Sequence, residues 1–129
     1  FDFMNNVNKF EQSLVDKGIK LFKFWLSITP QTQKKRFELR KNSPLKYWKF
    51  SPNDEKSIDK WDDYTKYKEK VLKQTRDAVS WTVVDTNDKH AGVLNLLRHL
   101  LTNVEYPDKD LSRIGDVYPE VVTTIKETR

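Results

Sequence analysis

Arg36 and Arg40 stand four residues apart in a segment with helical character, so both guanidinium groups fall on one helical face. Two such groups can fork onto successive phosphate oxygens, and their charge does not titrate away near neutral pH. Lys46 and Lys49 follow within a short turn and add point charges. Between Lys34 and Lys49 there are seven basic residues against the single acid Glu38, a local excess of six, while the whole chain carries only +5. One patch therefore holds the entire surplus, and the partner it calls for is a localised polyanion. The competing reading is a solvated helix face whose charges meet nearby acids; the imbalance within the window favours phosphate.

The stretch Pro44-Leu45-Lys46-Tyr47-Trp48-Lys49-Phe50-Ser51-Pro52 interleaves aromatic rings with bases. Such a stretch could stack the bases of a single-stranded nucleic acid. It could equally be a hydrophobic staple that pins a turn between two helices, and this is the reading favoured for Tyr47, Trp48 and Phe50. Asp62 and Asp63 are adjacent carboxylates, but neighbours on a helix point about 100° apart and cannot clasp one ion together. One of them is expected to pair with a base or a tyrosine. His90 and His99 lack zinc-ligand spacing, and no residues are arranged as a Ser/His/Asp or Cys/His nucleophile. The three glycines are scattered, so the chain holds no glycine-rich phosphate loop.

The elements that must carry these side chains are legible in outline. Phe3, Val7, Phe10 and Leu14 recur at helical spacing, which predicts a helix over 2–17 stopped at Gly18. Ile19–Ser27 reads as a buried strand. Thr29-Pro30 predicts the start of a polar helix over 30–42, and Ser51-Pro52 the start of a long helix to about Gln74. Trp81–Val84 reads as a second strand. Asp85-Thr86-Asn87-Asp88 reads as a turn into a helix striped by Leu94, Leu97, Leu101 and Val104 and ended by Pro107. Beyond it, Val121, Val122 and Ile125 could make one packed turn. A helix as polar as 30–42 is not core; it bridges solvent or meets a charged ligand. Strands alternating with helices predict an α/β sheet, and two strands make a poor one, so further strands are expected ahead of Phe1. The non-Met start inside an amphipathic pattern agrees with a fragment of a longer protein. There is no Cys, hence no disulfide framework, and no apolar run approaches the ~20 residues that span a bilayer.

Taken together, Phe24-Trp25-Leu26-Ser27-Ile28, Gln33 to Arg40, Pro44 to Pro52, Trp61-Asp62-Asp63-Tyr64, Trp81-Thr82-Val83-Val84 and Asp88-Lys89 resemble the C-terminal half of the polyphosphate kinase 2 family over about residues 6–106. The resemblance implies the C-terminal part of a P-loop kinase, thymidylate-kinase-like three-layer α/β sandwich with a helical lid over about 30–75. Residues 1–106 would belong to the kinase domain and 107–129 to a C-terminal tail. It implies Mg²⁺-dependent transfer of phosphoryl groups between inorganic polyphosphate and nucleoside mono- or diphosphates such as AMP, ADP or GDP. The phosphate-binding loop and most Mg²⁺ ligands are expected outside this chain, in the remainder of the same domain, so the fragment alone is expected to be inactive. Position by position, Arg36 resembles the lid arginine that reaches the transferring phosphoryl group. Arg40, Lys46 and Lys49 fall in the same lid and would hold nucleotide phosphates or polyphosphate. By fold analogy, Asn87, Asp88 and Lys89 would pass the base. Ser43, where the family commonly has Asp, and Gly92, where a base is common, depart from the pattern and bear on base contacts and subclass. A cytoplasmic, homo-oligomeric protein with no membrane partner is expected. The alternative is a nucleic-acid-binding module that uses the Lys34–Lys49 patch.

Overall fold

The computed structural model describes residues 2–125. The chain divides into two compact units. One is built from the segments up to Ser27 and from Leu72 onward, the other from Ile28–Val71.

The first unit carries the sheet. Strand β1 (Lys23–Ser27) pairs in parallel with β2 (Trp81–Asp85), in register from Lys23 opposite Trp81 to Ser27 opposite Asp85. A third strand, β3 (Val122–Thr124), runs antiparallel along the other edge of β2, giving the order β1-β2-β3. The expected packed turn at the end of the chain is thus a sheet strand. Its β-branched Val122-Thr123-Thr124 suits a pleated surface, and Val122 is buried against fully buried Val84. β1 is shorter than the expected strand over 19–27. Gly18 takes a positive φ of 81° and turns the chain out of helix α1 (Asp2–Asp16), and strand pairing begins only at Lys23. Trp25 and Trp81 meet edge to face, 6.2 Å between ring centroids.

Lys23, the break in the apolar run, is only 8% exposed. Its ammonium donates to Glu11 of α1 at 2.8 Å and to the Thr75 carbonyl, and it lies 4.6 Å from the centre of the Trp81 ring. Trp81 Nε1 in turn donates to Thr75 Oγ1 at 3.0 Å. Asn8 Nδ2 donates to the Gln74 carbonyl at 2.8 Å and to Asp77 at 3.2 Å. α1 is therefore tied to its unit through polar contacts: Val7 and Leu14 are half-buried, whereas Phe3 and Phe10 stand exposed.

Helix α5 (Lys89–Asn103) packs on β2 and β3 through small and polar residues. Gly92 admits the backbone of the preceding loop, since a Cβ there would stand 2.8 Å from the Asp85 carbonyl oxygen. Asn95, 1% exposed, donates to the Ala91 carbonyl and accepts from the Tyr118 amide at 2.8 Å. Arg98 donates to the carbonyls of Ile114 and Asp116 and lies over the Tyr118 ring, so the segment through α6 (Leu111–Ile114) is held against α5. The Leu94, Leu97 and Leu101 stripe is 48%, 48% and 40% exposed and faces away from this packing.

His99, on α5, meets Phe24 edge-on at 5.9 Å, and burial there lowers its pKa below the ordinary 6.5. The folded chain then binds fewer protons than the unfolded chain between that lowered pKa and 6.5. This contribution to stability is complete above pH 6.5 and is lost as the pH falls below it. Thermal unfolding followed from pH 7.5 to 5.5 should show Tm falling on the acid side. His99→Phe should flatten that fall, and an unchanged slope in the variant would assign it to other groups.

The second unit is helical. Thr29 caps α2 (Pro30–Lys41), accepting from the Thr32 amide, with Pro30 at the first helical position. A 3₁₀ turn at Tyr47–Lys49 follows, then α3 (Pro52–Asp59) and α4 (Trp61–Gln74). Ser51 and Asp54 form a reciprocal capping box at the start of α3. The single long helix expected from Pro52 is broken: α3 ends with Lys60 at φ −106° and ψ 19°, outside helical geometry. Phe37 and Phe50 form the small core of this unit, edge to face at 6.2 Å.

Candidate functional site

The charged patch is organised by that small core. α2 packs on the Tyr47–Lys49 turn and on α3 through buried Phe37. Arg36 and Arg40 flank Phe37 on the same side of the helix and are half-buried, whereas Lys34, Lys35 and Lys41 are exposed. The Arg40 guanidinium lies 5.7 Å from the centre of the Phe37 ring and 3.9 Å from Asp54 Oδ2. That same oxygen already accepts from the Ser51 amide at 3.0 Å. A partly solvated pair at such a distance contributes about 0–1 kcal/mol, so it orients Arg40 more than it neutralises it. Arg36 is also engaged within the chain. Arg40 is thus held by packing and by Asp54, whereas Lys34 and Lys35 are exposed.

Lys46 and Lys49 are exposed at either end of the 3₁₀ turn. The four predicted phosphate-binding residues Arg36, Arg40, Lys46 and Lys49 therefore belong to one small unit. The staple expected of the aromatic run falls to Phe50 alone. Tyr47 and Trp48 are 63% and 69% exposed, because Phe37 offers a packing partner to one ring only.

Asn87, Asp88 and Lys89 lie in the sheet unit, the first two in the loop that leaves the carboxyl end of β2 and Lys89 at the start of α5. Thr86 donates its amide and hydroxyl to the Ser27 carbonyl at the end of β1, at 2.8 and 3.0 Å, which ties the ends of the two parallel strands together. The crevice beyond such strand ends is where open α/β sheets bind ligands. Asp85 accepts from both the amide and the side chain of Asn87. Asp88 caps α5: its carboxylate accepts from Ala91 and His90 amides, and these bonds hold its pKa below the ordinary carboxylate value. Asn87 and Asp88 thus shape the loop, and Lys89 stands exposed on the first turn of α5. Sequence reasoning missed the Lys23 cluster and the role of Gly92; the one signal for the former was a lysine inside an otherwise apolar strand.

Asp62 and Asp63 are exposed on the first turn of α4. Among the described residues, no three His, Cys, Asp or Glu side chains come together where they could hold a metal ion. Among those residues, no helix is long and apolar enough to cross a membrane.

Residues 1–112 match the family model described as Polyphosphate kinase 2 (PPK2). The chain belongs to the polyphosphate kinase 2 family. It is 43% identical over 122 residues to NDP-polyphosphate phosphotransferase 2 of Ruegeria pomeroyi, a match covering 94% of this chain and 36% of that protein. It is 46% identical over 110 residues to GDP-polyphosphate phosphotransferase of Pseudomonas aeruginosa, covering 84% of this chain and 31% of the relative. The crystal structure of polyphosphate kinase 2 from Arthrobacter aurescens TC1 superposes with a TM-score of 0.66 at 29% identity, over 85% of this chain and 42% of that one. The fold is accordingly the α/β fold of a P-loop kinase, with a mixed sheet and helices. The chain spans roughly a third of the length of these two curated polyphosphate kinase 2 relatives.

Proposed function

We propose that the protein carrying this chain transfers phosphoryl groups between inorganic polyphosphate and nucleoside mono- or diphosphates, and that the segment over about residues 30–75 serves as its phosphate-gripping lid. The observation that carries this reading is the concentration of positive charge on one small, core-poor unit, with Arg36 and Arg40 on the same side of α2. The relatives add direction, being named for NDP and GDP as partners of polyphosphate.

In the synthetic direction, an oxygen of the acceptor's terminal phosphate attacks the end phosphorus of polyphosphate. The bridging P–O bond breaks, and the shortened chain departs with the electron pair. Such a transfer asks the protein mainly for positioning and for charge around the moving phosphoryl group. Arg36 is assigned to that group, and Arg40, Lys46 and Lys49 to the flanking phosphates. Fold analogy alone offers Asn87, Asp88 and Lys89 as an alternative lining for the base. A lid that closes also excludes water, which would otherwise take the phosphoryl group. Mg²⁺ and the phosphate loop are assigned to residues outside this chain, and the proposed setting is a cytoplasmic homo-oligomer. The test is the full-length protein incubated with polyphosphate, Mg²⁺ and each of AMP, ADP and GDP, with products separated by ion exchange. The expected result is the next higher phosphate of at least one acceptor. Failure with every acceptor, using folded protein, would remove the transferase reading.

A further inference from the structure

The turn between α2 and α3 exposes an aromatic ring that the phosphate-binding reading does not use. Trp48 keeps 69% of its surface in water although the neighbouring Phe50 is tucked against Phe37. Its ring is nevertheless fixed. Trp48 Nε1 donates to the Leu45 carbonyl at 3.0 Å, and the Lys49 ammonium lies 5.0 Å from the centre of the indole. The only polar atom of the side chain is thereby satisfied, and most of the indole apart from the part that Lys49 overlies stays in water. Tyr47 is exposed beside it in sequence, and Lys46 and Lys49 bracket the two rings.

We propose that Trp48 is the stacking surface for the base of the acceptor nucleotide, with Lys46 and Lys49 receiving its phosphates. The argument is one of chemical complementarity. Polyphosphate has charge but no ring, so it can use the lysines and gains nothing from an indole. A nucleotide has both a π face and adjacent phosphates, and it matches an aromatic ring set between cations. A ring already held by its N–H loses little freedom when a base settles on it. Stacking on an aromatic side chain is worth about 1–3 kcal/mol per base and tolerates different bases. This inference rests on the transferase reading, and it divides the basic patch: Trp48 sees the nucleotide alone, while the arginines see phosphate from either substrate.

The experiment uses the full-length protein with ADP, GDP and polyphosphate. Trp48→Leu should raise the KM for the diphosphate by roughly 5- to 150-fold, the span set by that stacking energy, and leave the KM for polyphosphate unchanged. Trp48→Phe should recover most of the loss. Without turnover, ADP or GDP should quench the tryptophan fluorescence of the wild type, polyphosphate should not, and the quench should shrink in Trp48→Phe. An unchanged diphosphate KM, or equal rises for both substrates, would overturn the proposal while leaving the transferase reading intact, because turnover itself would persist. Quenching by an oligoribonucleotide at far lower concentration than by ADP or GDP would also overturn it, in favour of a nucleic-acid surface. Absence of turnover in the wild type with the quench retained would sink the transferase reading and leave a nucleotide-binding ring.

Discussion

Replacing Arg36 with alanine in the full-length protein should lower kcat by about a thousandfold or more while changing the KM for nucleotide only a few-fold. An arginine that meets charge developing on a transferring phosphoryl group contributes about 10³–10⁵ in rate. An interaction made chiefly in the transition state leaves ground-state binding nearly untouched when it is removed. Arg36→Lys should restore little, because an ammonium cannot reproduce the planar fork. Arg36 is half-buried and engaged within the chain, so a denaturant melt of the variant must accompany the kinetics. A raised KM with kcat intact would reduce Arg36 to a binding group. A loss of kcat matched by a collapsed melt would assign it to the structure of its unit.

Lys23→Ala should be the most damaging single change to the sheet unit, lowering stability by about 3–5 kcal/mol. Folded domains have only about 5–15 kcal/mol in total. The substitution leaves the Glu11 carboxylate, whose side chain is 11% exposed, without its cation and removes a donor to the Thr75 carbonyl. It also removes the ammonium beside the Trp81 ring. The physical cause is the unpaired buried charge, not lost attraction in itself. The double change Lys23→Met with Glu11→Leu should therefore cost much less than Lys23→Ala alone, since a well-packed apolar pair often replaces a buried ion pair without loss. Urea unfolding of both variants measures the difference. If the double variant were as unstable as the single one, the donation to Thr75 would be the interaction that matters.

How far the sequence could be read follows the range of the interactions involved. α2 and the start of α3 were legible because their signals are local: Thr29-Pro30 and Ser51-Pro52 both become caps. The break at Lys60 was not, because no Gly or Pro marks it. The true start of β1 was hidden inside the apolar run Ile19–Leu26, since only the register against Trp81 defines it. The inward face of α5 was misleading for a similar reason. Gly92 and Asn95 pack inward because a loop backbone and the Tyr118 amide require them there, and neither partner is visible from helical periodicity. For the candidate site, the charge imbalance around Arg36 and Arg40 could be seen directly. That Phe50, not Tyr47 or Trp48, would take the place against Phe37 depends on the shape of the turn, which composition does not encode.

The parallel pairing of β1 with β2 also bears on the order in which the chain folds. The whole of Ile28–Val71 intervenes between those two strands, whereas β2, α5, α6 and β3 follow one another. Joining β1 to β2 means closing a long loop, whose entropy cost grows with the logarithm of its length, before any strand contact rewards it. A helical insert that collapses early on its own Phe37–Phe50 contact shortens the effective loop. Early collapse of the inserted unit would thus speed nucleation of the sheet.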